Sequence, residues 1–205
     1  MKKLAIAGAS AVLAAMPVLG VFAADGDAVI DTVQITISSS CGVNSDTETT
    51  PGTGQTFTAS MVNNDVHEWD ADGTGGELYV TCNSASGWNV TAQGYSNDTA
   101  GTTTMVGTGI GTDIPTAANP TAGTSAWAFK VADSAGTAAT GATIVSAYST
   151  YAAVPSAATR VAYKNGTAVS QGLIYTGYKV STSATQQADT YTGKVKYVVS
   201  AGVGA

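Results

Sequence analysis

The sequence predicts an all-β protein, a single antiparallel β-sandwich, on three observations. Beyond residue 23, leucine occurs only at Leu78 and Leu173, while Thr, Ser, Gly, Val and Tyr crowd the chain; that mixture disfavours helices and suits pleated strands. Apolar residues alternate with polar ones in run after run, the period of a strand with one buried face. Polar turn residues separate these runs at short intervals, as in sandwiches. With so few large aliphatics, the expected core is Val, Ile, Ala and aromatic.

The first 23 residues read as a cleaved signal peptide. Lys2 and Lys3 form a positive start, Leu4 to Ala15 is apolar or small, and Val21-Phe22-Ala23 puts small or modest side chains where a signal peptidase cuts. An uncleaved membrane anchor is the alternative, since the apolar run approaches the length of a span. Cleavage would leave residues 24–205 as one domain. The expected destination is secreted, extracellular or at the cell surface.

The strands follow in order. Val29 to Ser38 alternates, with Val33, Ile35 and Ile37 on one face. Phe57, Ala59 and Met61 form a second run. Leu78, Val80 and Cys82 share a face of a third, and Trp88, Val90 and Ala92 a face of a fourth. Asn83 to Gly87 between these two reads as the turn of a hairpin. Trp127, Phe129 and Val131 form the next run, then Thr143 to Ala147. Thr159 to Lys164 leads into Asn165-Gly166, the pair a type I′ hairpin turn prefers. Ile174, Tyr178 and Val180 mark a long strand, and Tyr191, Val195, Tyr197 and Val199 the last. Residues 95–125, rich in Gly, Thr, Ala and Pro, have little periodicity and read as a long mobile excursion with one weak strand near Thr103 to Val106. Trp88 and Trp127, beside Val90 and Phe129, are expected in the core. Trp69, flanked by acids, is expected to be exposed on a loop.

Charge is lopsided along the chain. Between Asp25 and Asp113 stand twelve acids and no Lys or Arg, whereas from Lys130 onward six bases face Asp133 and Asp189. Without the first 23 residues the formal net charge is −8, from six bases and fourteen acids. Such a surface excludes nucleic acid and anionic membrane as main partners. It serves solubility; alternatively, acidic and basic parts at opposite ends would steer head-to-tail association.

Cys41 and Cys82 are the two cysteines of the chain, and in an exported protein they are expected to form a disulfide; buried free thiols are the alternative. With His67 alone they do not make a zinc set. The same histidine lies among Asp65, Glu68 and Asp70 in what reads as an acidic surface loop, and no Ser stands in a Gly-x-Ser-x-Gly elbow, so no enzyme is expected. The loop from His67 to Glu77 presents hard oxygen ligands and turn-forming glycines. Asp70, Asp72 and Glu77 are therefore candidate calcium ligands, although the spacing departs from an EF-hand, and a solvated acidic loop is the plainer reading. No other cofactor is implied.

A strand with a cysteine, a second cysteine in a later strong strand, the run Gly87-Trp88-Asn89-Val90, and the closing Ala188-Asp189-Thr190-Tyr191-Thr192-Gly193-Lys194-Val195 together resemble the bacterial spore coat protein U and chaperone-usher pilin group. The resemblance implies an immunoglobulin-like, pilin-like sandwich, with Cys41 and Cys82 as its framework disulfide. It further implies a fimbrial subunit that polymerises by strand addition, with Ala24 to Asp31 as the donor extension. A self-complete sandwich is the alternative. The functional expectation is an exported, non-enzymatic structural or adhesive surface protein, its partners being further copies or other surface proteins. The alternative function is a secreted carbohydrate- or protein-binding module using Trp69 and the acidic loop 65–77, with a glycan as the candidate ligand.

Overall fold

The structure, a computed structural model, describes residues 41–45, 55–70, 75–96, 99–109, 111–133, 142–166 and 172–202. The signal peptide, the run Val29 to Ser38 and Asp72 lie outside them. The chain is all-β: among the described residues there is no α-helix, only a 3₁₀ turn at Ser146–Tyr148.

Among the described residues twelve strands form: β1 Cys41–Ser45, β2 Val66–Trp69, β3 Gly76–Cys82, β4 Gly87–Ser96, β5 Thr99–Ala100, β6 Val106–Gly107, β7 Ala126–Asp133, β8 Thr143–Ile144, β9 Thr159–Asn165, β10 Gly172–Ser181, β11 Tyr191–Thr192 and β12 Lys194–Ala201. They make two five-stranded antiparallel sheets and a β6–β11 pair. In the first sheet β10 is flanked on one side by β7 and on the other by β3 and then β2, with β1 beyond β3. In the second the order is β12-β4-β9-β8, with β5 turning back on the end of β4.

The two sheets share one core. Leu78, Val80, Phe129, Val131 and Ile174 from the first pack in one cluster with Trp88, Val90, Ala92, Val161 and Ala162 from the second. Trp88 is fully buried and Trp127 nearly so, as their places in alternating runs require. The disulfide is present between Cys41 and Cys82, which sit directly opposite each other on β1 and β3. Closing a loop of that length stabilises the fold by about 4 kcal/mol on the chain-entropy model.

Both expected hairpins are corrected. β3 and β4 lie in different sheets, so Asn83–Gly87 carries the chain from one to the other; β9 and β10 also lie in different sheets, and residues 167–171 between Gly166 and β10 lie outside the described residues. Alternation alone does not distinguish these geometries. In a hairpin, Leu78, Val80 and Cys82 would share one face with Trp88, Val90 and Ala92; here the two sets enter the core from opposite sheets. The crossings lie side by side, because Gly87 pairs with Asn165. Gly87 and Gly166 take φ of 90° and 77°, which glycine adopts without penalty.

Phe57 to Met61 is extended coil rather than a strand, because the β10 edge beside it is already taken by β2 and β3. Thr143 to Ala147 gives the two-residue β8 and then the 3₁₀ turn. In the segment read as an excursion, Met105 and Ile114 exchange backbone hydrogen bonds of 2.8 and 3.0 Å, the Trp127 amide donates to the Pro115 carbonyl at 3.0 Å, and Ile114 is buried. Isolated small apolar residues tied to β7 leave no periodic trace.

The two glycines at the crossings are not equivalent. A Cβ on Gly87 would overlap the Lys164 carbonyl, whereas one on Gly166 would meet nothing within 4 Å. Gly166→Ala should therefore cost about 1 kcal/mol, for the positive φ alone. Gly87→Ala should cost roughly 3 kcal/mol or more, since the backbone must also move. Denaturant unfolding of the two variants gives the comparison; equal losses would contradict it.

Candidate functional site

Residues 66–82 act as one strand with six residues pushed out of it. β2 pairs with β10 from Ser181 to Tyr178 and β3 resumes at Thr176. Against the single residue Gly177, the chain inserts 70–75, closed at its base by a hydrogen bond from the Gly75 amide to the Asp70 carbonyl at 2.5 Å.

This arrangement decides where the expected site residues point. Trp69 is opposite Tyr178 and His67 opposite Val180, and opposed residues share a face, so both face the interior. Trp69 is on a strand, partly buried against the core, which corrects its placement on an exposed loop. Its ring lies 4.6 Å from that of His67 and 6.1 Å from that of Phe57. Glu77 is in β3 and accepts a hydrogen bond from the Tyr79 hydroxyl at 2.8 Å. Asp70 is 2.6 Å from the Lys130 ammonium. Among the described residues no three His, Cys, Asp or Glu side chains come together as a metal-binding set.

Glu68 and Asp70 face outward, and two lysines from the basic half of the chain meet them. Glu68 is opposite Lys179 on β10, and Lys130 of β7 is opposite Gly177. The Glu68 carboxylate lies 3.9 Å from Lys130 and 3.8 Å from Lys179. The Tyr151 ring covers both ammonium groups, at 4.7 and 5.5 Å. Burial first, then the neighbouring Glu68 and the charge of Asp70, push the Tyr151 hydroxyl far above its ordinary range. An open depression of about 490 Å³ lies here, lined by Asn119, Lys130, Ser149, Thr150 and Tyr151. Strand pairing thus brings acids and bases together on this face, although the sequence keeps them apart.

A second feature is the flank of the core along β12. Val195, Tyr197 and Val199 oppose Gly94, Ala92 and Val90 and so face inward. Yet all three are only partly buried, while Val90 and Ala92 beside them are fully so. Among the described residues β12 pairs on one side only, with β4, and β1 passes near it without a ladder between them. The hydroxyls of Tyr197 and Tyr178 meet across this flank at 3.1 Å, one from each sheet. Burial raises the pKa of both. The Phe57 ring stacks at a tilt on Tyr178, 5.1 Å away.

The closing motif has a structural task. Asp189 accepts hydrogen bonds from the Thr108 hydroxyl and the amides of Gly109, Gly111 and Thr190, at 2.7–3.1 Å. Tyr191 pairs with Gly107 and receives the Gln186 amide on its hydroxyl at 2.6 Å. A side chain on Gly193 would strike Met105 and Trp127. The motif fastens the start of β12 to the 105–111 loop. Asp, Tyr and Gly at this spacing carried that signal in the sequence, but the loop they hold is about eighty positions away.

Comparison of the chain with protein-family models, curated proteins and solved structures finds no match in any of the three.

The Asp189 anchor makes a pH prediction. The Thr108 hydroxyl first, then the backbone amides, lower its pKa from 3.8 to about 2. A carboxylate with a depressed folded pKa stabilises fully above its unfolded value, and the contribution fades as pH falls through the folded one. Asp189→Asn should therefore lower the melting temperature at pH 6, and its gap from the parent should close between about pH 4 and pH 2. A gap independent of pH would contradict the anchor.

Proposed function

We propose that this chain is an exported, non-enzymatic structural or adhesive surface subunit, its two sheets forming a sandwich that takes an added strand along β12. The observation that supports this reading is the half-buried inward row Val195, Tyr197, Val199 beside a strand that, among the described residues, is paired on one side only. Val80, Val90, Phe129, Val131, Val161 and Ile174 elsewhere in the core have no exposed surface. Completing the burial of three such side chains is worth roughly 2–4 kcal/mol. An extended segment there would also satisfy the free edge of β12 by main-chain hydrogen bonds.

The occupant that fits is an extended segment with alternating apolar residues. Residues 24–38 of a neighbouring copy provide one, with Val33, Ile35 and Ile37 on one face. Their alternation matches the spacing of Val195, Tyr197 and Val199, so each apolar side chain would enter beside one of that row. The resemblance of the cysteine framework and closing motif to pilin-like subunits points the same way. The cross-linking of β1 to β3 by the disulfide suits a subunit that must stay folded outside the cytoplasm.

Light scattering and negative-stain microscopy of residues 24–205 test the reading. Oligomers or filaments that survive dilution are expected. Ile35→Asp on the donor side should abolish them while the disulfide and the circular dichroism stay unchanged. A parent chain that is monomeric at high concentration would sink the proposal.

A further inference from the structure

We infer that Lys130 and Asp70 form a covalent amide crosslink, with Glu68 as the group that moves the proton. The inference does not depend on assembly. Lys130 and Asp70 approach across β10 at the position of Gly177, the partner of Lys130 in the β7–β10 ladder. Because Gly177 has no side chain, nothing stands between the lysine and the first residue after β2. The Lys130 nitrogen lies 2.6 Å from Asp70 Oδ1, an oxygen that is itself buried although the Asp70 side chain as a whole is 48% exposed. The lysine side chain is only 17% exposed, under the ring of Tyr151 at 4.7 Å.

An ordinary surface ion pair has no third participant. Here a second carboxylate is part of the geometry. Glu68 directs one oxygen at Lys130, 3.9 Å away, and the other at Lys179, 3.8 Å away, so Lys179 positions it. The ring of Tyr151 lies over both lysines, at 4.7 and 5.5 Å, beside the open depression that Lys130 also lines. Holding the two groups together makes the attack an intramolecular step.

The step balances without an oxidant or cofactor. The Lys130 ammonium gives one proton to the Glu68 carboxylate, and the neutral nitrogen attacks Cγ of Asp70. The new C–N bond forms as one C–O bond breaks. The departing oxygen takes the proton from Glu68 and a second from the attacking nitrogen and leaves as water. Glu68 returns to the carboxylate, and an ammonium and a carboxylate have become one neutral amide. The bond would tie β7 to the end of β2 across β10, closing the sheet where its edge strand is interrupted.

Intact mass of the reduced, denatured chain tests this, with the N-terminus read from the same sample. The expected mass is one water below that of the sequence. A tryptic map should then contain a branched peptide joining Asp70 to Lys130, with no cleavage at Lys130. Lys130→Arg and Glu68→Gln should each restore the full mass while the Cys41–Cys82 bond still forms, which separates lost chemistry from lost folding. A full mass in the parent chain overturns the inference. So does a deficit that maps to a succinimide at Asp72-Gly73 or to any other pair, and a crosslink persisting in Glu68→Gln overturns the role given to Glu68.

Discussion

The pairing of β10 constrains the rest of the first sheet. It is bonded along both sides, by β7 on one and by β3 and β2 on the other. β2 ends at Trp69 opposite Tyr178 and β3 begins at Gly76 opposite Thr176, so the ladder is interrupted at Gly177. That register turns Trp69 inward beside Tyr178 and leaves Glu68 and Asp70 on the outer face. It also leaves only Gly177 between Asp70 and Lys130. The charge pairs, the covering by Tyr151 and the open depression beside it all follow from one mismatch between neighbouring strands.

The second sheet has the opposite character. β4 is satisfied on both sides, by β12 and β9, but β12 closes the sheet with one edge free among the described residues and its inward row half covered. A flat edge with apolar side chains behind it is a liability in a monomer and an asset in a subunit. The tail motif holds the start of β12 in place through Asp189, Tyr191 and Gly193. The Tyr178–Tyr197 contact fixes its middle to the other sheet. An edge held this firmly is suited to receive a strand without rearranging.

Much of the fold was legible because alternation reports burial directly. Leu78-Val80-Cys82, Trp88-Val90-Ala92 and Trp127-Phe129-Val131 were read as buried rows, and they are. Alternation is silent on which sheet a strand joins, so both turns that cross between sheets were read as hairpins. β2 escaped because Val66 to Trp69 is short and flanked by acids, and its inward His67 and Trp69 look like loop residues until β10 is laid beside them. The ion pairs were invisible for the same reason: Glu68 and Lys179 are over a hundred positions apart and meet only through the register of β10. The disulfide needed no such knowledge, since two cysteines in a chain read as exported have one partner each.

The central claim is that the outer edge of β12 is left for a strand from another copy. Amide hydrogen exchange along Lys194–Ala201, followed in dilute monomer and after assembly, tests it most directly. The amides directed away from β4 should exchange quickly in the monomer, while those bonded to β4 are slow, and assembly should slow the fast set to match. Uniform protection of β12 in the dilute monomer would contradict the account, because the edge would then already be filled within a single chain.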